Sequence, residues 1–146
     1  MVAKRDLLRH VPLFKDCSGR DISRIAARAT EHVVRAGEVL TREGAPGHQF
    51  FIVAEGQARV SLRGRKLRDV GPRGYFGEMA LLDQGPRAAT VVAQTDMRLY
   101  VLEAHEFTSL LRSTPAMAIR MLGTMSGRLR EALEAPRAKR RDLATL

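Results

Sequence analysis

The sequence predicts a mainly β domain, a sandwich or jelly roll, with helices at both ends. Three observations carry this. Between about residues 33 and 102, short apolar runs are separated by closely spaced glycines: Gly37, Gly44, Gly47, Gly56, Gly64, Gly71, Gly74 and Gly77. Within one of these runs Ala58, Val60 and Leu62 alternate with Arg59 and Ser61, the period of a half-buried strand. On either side of this region, apolar residues recur at helical spacing instead. A chain of 146 residues is long enough for one domain with a single core.

The elements follow in order. Leu7, Leu8, Val11, Leu13 and Phe14 anchor short helices, and Pro12 interrupts the first. Ser18-Gly-Arg-Asp21 resembles a capping box with Asp in place of the usual Glu. Ile22, Ile25, Ala26 and Ala29 continue that helix at helical spacing. Strands are expected at Phe50–Val53, Ala58–Leu62, Thr90–Ala93 and Arg98–Leu102, with Gly64-Arg65 as a tight hairpin turn. Ala104–Arg112 reads as a short helix. Thr114 and Pro115, as N-cap and first helical residue, open another that runs to about Ala135 and stops at Pro136. Along it Ala118, Leu122, Met125, Leu129 and Ala132 alternate four and three apart. That spacing suits a short coiled-coil seam, through which the chain would form a homodimer, or a face packed on the roll. Gly123 and Gly127 each weaken this helix by about 1 kcal/mol relative to Ala. Residues 1–136 are thus read as the domain, and 137–146 as a basic, flexible tail without an apolar period.

Composition excludes several classes. The formal charge of +9 points to an anionic partner, with Arg63, Arg65, Lys66 and Arg68 clustered in mid-chain and Arg137, Lys139, Arg140 and Arg141 at the end. Trp is absent and aromatics are only 5%, so the stacking platforms of single-strand nucleic-acid binders are missing. No apolar run approaches the length of a membrane span, and the first residues do not form a secretory signal. The lone Cys17 cannot form an internal disulfide, which suits a reducing cytoplasm. His10, His32, His48 and His105 lack metal-ligand spacing, and no catalytic constellation stands out, so neither a metal nor an enzyme is expected.

The segment Gly74–Ala93 carries the chemistry. Gly77 lets the backbone approach a ligand, and the short helical turn Met79–Leu82 presents free N–H groups suited to an anion. Arg87, expected to begin a strand, can give a phosphate a forked pair of hydrogen bonds. Glu78 can accept from a sugar hydroxyl. A hydroxyl donor, a phosphate and an apolar face together describe a nucleotide.

Phe76-Gly-Glu-Met-Ala-Leu-Leu, followed by Pro86-Arg-Ala-Ala-Thr-Val-Val-Ala93, resembles the phosphate-binding cassette of the cyclic-nucleotide-binding domain family. That family includes the catabolite activator protein, the regulatory subunits of cAMP-dependent protein kinase and cyclic-nucleotide-gated channels. Ala36–Leu40, Glu43-Gly44 and Phe50–Gly56 resemble its first β-roll glycines, and about residues 7–135 fit in all. The resemblance implies an eight-stranded β-roll with helices at both ends. It also assigns roles. Glu78 holds the ribose 2′-hydroxyl, and Arg87 holds the cyclic phosphate. Gly77, Met79 and Ala80 approach the sugar and phosphate, Ala88 offers its main-chain N–H, and Ala89 completes the cassette. Val60, Leu67 and Val70 form the apolar wall. On the last helix, Ala132 and Leu133 stand near a hydroxyl of the activator protein, so Arg130 or Leu133 is left to cover the purine as a lid. The position after the cassette arginine is Ala88 and lacks the hydroxyl that would bond guanine, which implies cAMP as the ligand ahead of cGMP.

The implied function is cyclic-nucleotide sensing, passed to a protein effector by movement of the last helix. The chain ends about eleven residues after that helix, too few for a DNA-recognition helix and its support. The alternative is the ligand-binding half of a longer transcription regulator, channel or kinase regulatory region.

Overall fold

The computed structural model describes residues 3–135, so Pro136 and the basic tail lie outside the described residues. The chain runs through α1 (Lys4–Arg9), a 3₁₀ turn (Pro12–Phe14) and α2 (Gly19–Arg28). Five strands follow: β1 (Thr30–Val34), β2 (Val39–Thr41), β3 (Gln49–Glu55), β4 (Ala58–Leu62) and β5 (Arg65–Val70). Then come β6 (Tyr75–Phe76), α3 (Glu78–Leu82), β7 (Thr90–Ala93), β8 (Met97–Glu103), α4 (Ala104–Ser113) and α5 (Pro115–Glu134).

The eight strands form two antiparallel four-stranded sheets, ordered β1-β8-β3-β6 and β2-β7-β4-β5. The facing surfaces of the sheets enclose one core: Phe51, Val53, Val60, Val70, Phe76, Val91, Leu99 and Val101. A second core lies on the outer face of the first sheet. There Phe50, Ile52, Tyr100 and Leu102 meet Leu8, Phe14, Ile25, Phe107, Leu110, Met117 and Met121 from the helices. Strands β3 and β8 are therefore covered on both faces, which is why Phe50–Ala54 and Leu99–Leu102 run apolar without a break while β4 alternates.

The local signals act as expected at several points. Ser18 Oγ accepts from the Asp21 amide and the Asp21 carboxylate accepts from the Ser18 amide, closing the capping box. Pro12 opens the 3₁₀ turn after α1 ends. Three readings are corrected. The β4–β5 hairpin turns on Arg63 and Gly64 (φ 51° and 79°), not on Gly64-Arg65, because Leu62 pairs with Arg65 and the two-residue turn that matches strand twist needs positive φ at both centres. Arg87 lies in a loop, and β7 begins at Thr90. Thr114 stands at the N-cap of α5 but its side chain makes no cap, and its buried Oγ1 has no hydrogen-bond partner among the described residues. Of the α5 stripe, Leu122 and Leu129 are exposed and Ala118, Met125 and Ala132 are half-buried, with Met125 against the helical core; the α5 residues buried in that core are Met117 and Met121.

Candidate functional site

The cassette is short in sequence because both of its charged groups lie in one connection, from β6 to β7. Pairing of Phe51 with Phe76 and of Ile52 with Tyr75 fixes where β6 ends. Gly77 then takes φ 95° and starts α3, which places Glu78 at the first helical position with its side chain 4% exposed. An added Cβ at Gly77 would lie 2.9 Å from Arg87 Nη1 and 3.0 Å from the Gln49 carbonyl. The left-handed backbone and the close approach together require glycine here.

Arg87 is 7% exposed and points inward. Its Nη1 donates to the Gly77 carbonyl at 3.0 Å and its Nη2 to the Gln49 carbonyl at 2.8 Å. The guanidinium carbon lies 5.8 Å from the centre of the Phe51 ring, which itself stacks on Phe76. The loop of Arg87 is pinned by its own backbone: its amide donates to Ala45, and its carbonyl accepts from Gly44. Gly47 passes directly over the side chain, where a Cβ would sit 2.3 Å from Arg87 Nε. Burial pushes the Arg87 guanidinium down and the Glu78 carboxylate opposes this, so the group stays a cation. Met79, Pro86, Arg87 and Ala88 line a hollow of about 410 Å³ with Glu43, Gly44, Leu62, Arg63 and Asp83. A larger groove of about 820 Å³ lies on the other side of α3, against α4; it contains neither Glu78 nor Arg87.

Glu78 does not pair with Arg87. Its Oε1 accepts from Arg128 Nη1 of α5 at 3.1 Å. Arg68 and Tyr75 lie close to this pair. Burial pushes the Arg68 guanidinium down and Arg128 adds to it, while Glu78 and Tyr75 oppose. Burial raises the Tyr75 phenol against the influence of the Thr124 hydroxyl, and among the described residues the phenol oxygen has no partner at hydrogen-bond geometry.

The remaining sequence-predicted residues fall as follows. Ala80 is buried, and Ala88 and Ala89 are half-buried, with the Ala89 carbonyl accepting from Thr41 Oγ1 at 2.9 Å. Val60 and Val70 are buried inside the roll, and Leu67 is half-buried against the same core. Arg130 and Leu133 are exposed on α5, away from the Glu78 contact that Arg128 makes. Sequence reasoning missed Gly47, the Gln49 carbonyl, Arg68 and Arg128. The helical spacing of Arg128 with buried Met117 and Met121 was the one available signal for its inward face. Among the described residues no helix is long and apolar enough to cross a membrane.

A β-roll with an inward arginine and a buried carboxylate nine positions apart, held in one turn between strands, defines a ligand-binding regulatory module. The pattern of the cyclic nucleotide-binding domain matches residues 31–114. A cyclic nucleotide-gated potassium channel of Rhizobium etli is 34% identical over 123 residues, covering 80% of this chain and 34% of the channel. The solved structure of cAMP-bound PfPKA-R (141-441) matches with a TM-score of 0.77 and 31% identity, covering 92% of this chain and 48% of that one. The catabolite activator protein of Thermus thermophilus matches with a TM-score of 0.76 and 31% identity, over 83% of this chain and 59% of that one. This chain belongs to the cyclic nucleotide-binding domain family, and it is a regulatory domain of that kind. It spans about a third of the length of the Rhizobium channel.

Proposed function

We propose that the domain binds cAMP and signals through α5. The observation that carries this is the pairing of Glu78 with Arg128: the carboxylate that would take the ribose 2′-hydroxyl is already engaged by the last helix. Arg87 and the amides of the turn receive the cyclic phosphate, and Val60, Leu67 and Val70 receive the purine. Ligand arriving at Glu78 competes with Arg128, so the bound and free states favour different positions of α5. Arg130 and Leu133 then come within range to cover the base. Ala88 supports cAMP ahead of cGMP, because a guanine amino group buried there has no side-chain partner and loses about 1–3 kcal/mol.

The output is a protein effector in the cytoplasm. The exposed Ile119, Leu122 and Leu129 offer α5 either that effector or a second copy of the chain. A sedimentation experiment decides between them: a monomer at high concentration removes the homodimer. In relatives the module sits within channels and kinase regulatory subunits, and the reading as the ligand-binding part of such a regulator uses the same site.

Calorimetric titration against cyclic nucleotides tests the core of the reading. Wild-type protein binds cAMP more tightly than cGMP, and Ala88→Thr improves cGMP while changing cAMP little. Arg87→Ala weakens both by about 3–5 kcal/mol, the cost of stranding a buried charge. Unchanged affinity in Arg87→Ala would sink the site, and unchanged amide exchange over Pro115–Glu134 at saturating ligand would sink the coupling.

A further inference from the structure

We propose that the groove between α3 and α4 docks an acidic peptide segment of a partner protein, on the far side of the wall that holds Arg87. The groove is separate from the cassette hollow, and three parts of the chain build it. Pro46, Gly47 and His48 come from the loop before β3, Ala80 and Leu81 from α3, and α4 lends the side that runs from Ala104 to Ser113. It measures about 820 Å³, against about 410 Å³ for the hollow beside Arg87. On α4 its lining residues Ala104, His105, Thr108, Ser109 and Arg112 recur at helical spacing, so one stripe of the helix follows the groove along its length.

The chemistry of the lining selects the occupant. Pro46, Ala80, Leu81 and Ala104 supply a small apolar surface. With it stand groups able to donate: Arg112, the imidazoles of His48 and His105, Ser109 and Gln84. Among the described residues none of these five side chains makes a hydrogen bond or ion pair. No carboxylate lines the groove. The acids nearest in the chain have donors of their own: Glu103 accepts from Gln49 at 3.1 Å, and Asp83 from the Gly85 amide at 2.8 Å. A fixed positive charge and open donors, with no acid among them, suit an anion. His105 and Arg112 stand two turns apart, about 10 Å along the helix axis, which is more than one phosphate spans and about the reach of three residues of extended chain. No Phe, Tyr or Trp lines the groove, so a nucleic acid finds no surface on which to stack its bases. An acidic stretch of polypeptide fits the length, the charge and the apolar surface together.

The groove shares a wall with the phosphate arginine. The loop from Gly44 to His48 is clamped at both ends. Gly44 and Ala45 bond the Arg87 backbone, and the His48 carbonyl accepts from the Ala104 amide at 2.8 Å, at the head of α4. Between these clamps Gly47 lies against the Arg87 side chain and also lines the groove. A segment seated on Gly47 and a ligand held by Arg87 therefore bear on one piece of backbone, and each changes the affinity of the protein for the other. This linkage rests on the cyclic-nucleotide reading of the cassette; the docking itself does not.

The test uses the full chain and fluorescein-labelled hexaglutamate, read by fluorescence anisotropy. Arg112→Glu should weaken hexaglutamate by about tenfold or more, the loss of one charged hydrogen bond. Arg59→Glu makes the same change of net charge at an exposed position of β4 outside the groove, and should weaken it by under about twofold. On wild-type protein hexaglutamate should slow amide exchange over Ala104–Ser113 and leave β4 and β5 unchanged, a comparison that needs no variant to fold. Equal weakening in the two variants overturns the proposal, since the probe would then read only net charge. Protection on β4 and β5 in place of α4 overturns it too, as does no binding at all. An oligothymidylate that binds more tightly than hexaglutamate, and is lost in Arg112→Glu, would make the groove a nucleic-acid site instead. Saturating cAMP should shift the hexaglutamate affinity by about fivefold or more, and the same affinity with and without bound cAMP overturns the linkage. If the protein binds no cyclic nucleotide, the cassette reading fails, while Arg112→Glu against Arg59→Glu still decides the groove.

Discussion

Replacing Gly47 by alanine should disable the phosphate arginine without unfolding the roll. The new methyl would lie 2.3 Å from Arg87 Nε, 2.5 Å from Cδ and 2.6 Å from Cζ. Ordinary contact begins at 3.4 Å, so the guanidinium must retreat by about an ångström. Gly47 does not occupy the left-handed region, so its backbone accepts alanine and Arg87 has to give way. The retreat stretches the bonds of 3.0 and 2.8 Å to the Gly77 and Gln49 carbonyls. Hydrogen bonds to charged groups are worth about 1.5–3 kcal/mol each, so losing one such bond's worth of positioning at the phosphate weakens binding by about 10- to 150-fold. Calorimetric titration of Gly47→Ala with cAMP measures the loss, and circular dichroism confirms the strand content. Wild-type affinity in a folded Gly47→Ala protein would refute the reasoning, because Arg87 would then not depend on the space glycine leaves.

Three further outcomes are expected. Gly123 and Gly127 face open space within α5, so alanine at either should stabilise the helix by up to about 1 kcal/mol and raise the melting temperature; a fall in thermal melts would contradict this. Burial, then Asp21 and Asp16, hold the Cys17 thiol above its usual range, so it stays protonated to higher pH than a free thiol. Its alkylation by iodoacetamide should accordingly lag that of free cysteine at pH 8, and equal rates would count against it. Arg128→Ala removes the contact between α5 and Glu78, so amide protection over Pro115–Glu134 in the unliganded protein should fall; undiminished protection would mean that apolar packing alone seats the helix.

What could be read from the sequence depended on whether a contact was local. Glu78 and Arg87 share one connection, so they were visible as a linear pattern. Arg87 meets the Gln49 carbonyl across 38 positions and Arg128 meets Glu78 across 50, and no spacing rule reaches that far. Alternation exposed β4, which has one solvated face, whereas β3 and β8 have two covered faces and no alternation to find. Arg68 was hidden for a different reason. One bulged residue moves every later side chain on a strand to the opposite face, and nothing in Arg65-Lys-Leu-Arg-Asp-Val70 announces the bulge at Leu67. The turn before it was misplaced by one residue because Arg63 adopts positive φ, which its side chain gives no reason to expect.

The pairing of β1 with β8 has a mechanical side. Thr30 lies opposite Val101, so the chain enters and leaves the roll side by side on one sheet. The helices at the two ends consequently form a single layer. Asp16 pairs with Arg120 at 2.6 Å, and Arg24 donates to the Ser113 carbonyl at 3.2 Å. On the proposed coupling the roll is a stator and the helical layer its moving part, with Lys4 and Glu134 both mounted on the rotor. Torque generated at α5 would then reach a segment joined before Lys4 as directly as one joined after Glu134, without passing through a strand. A partner clamped on one side would become a brake on the other.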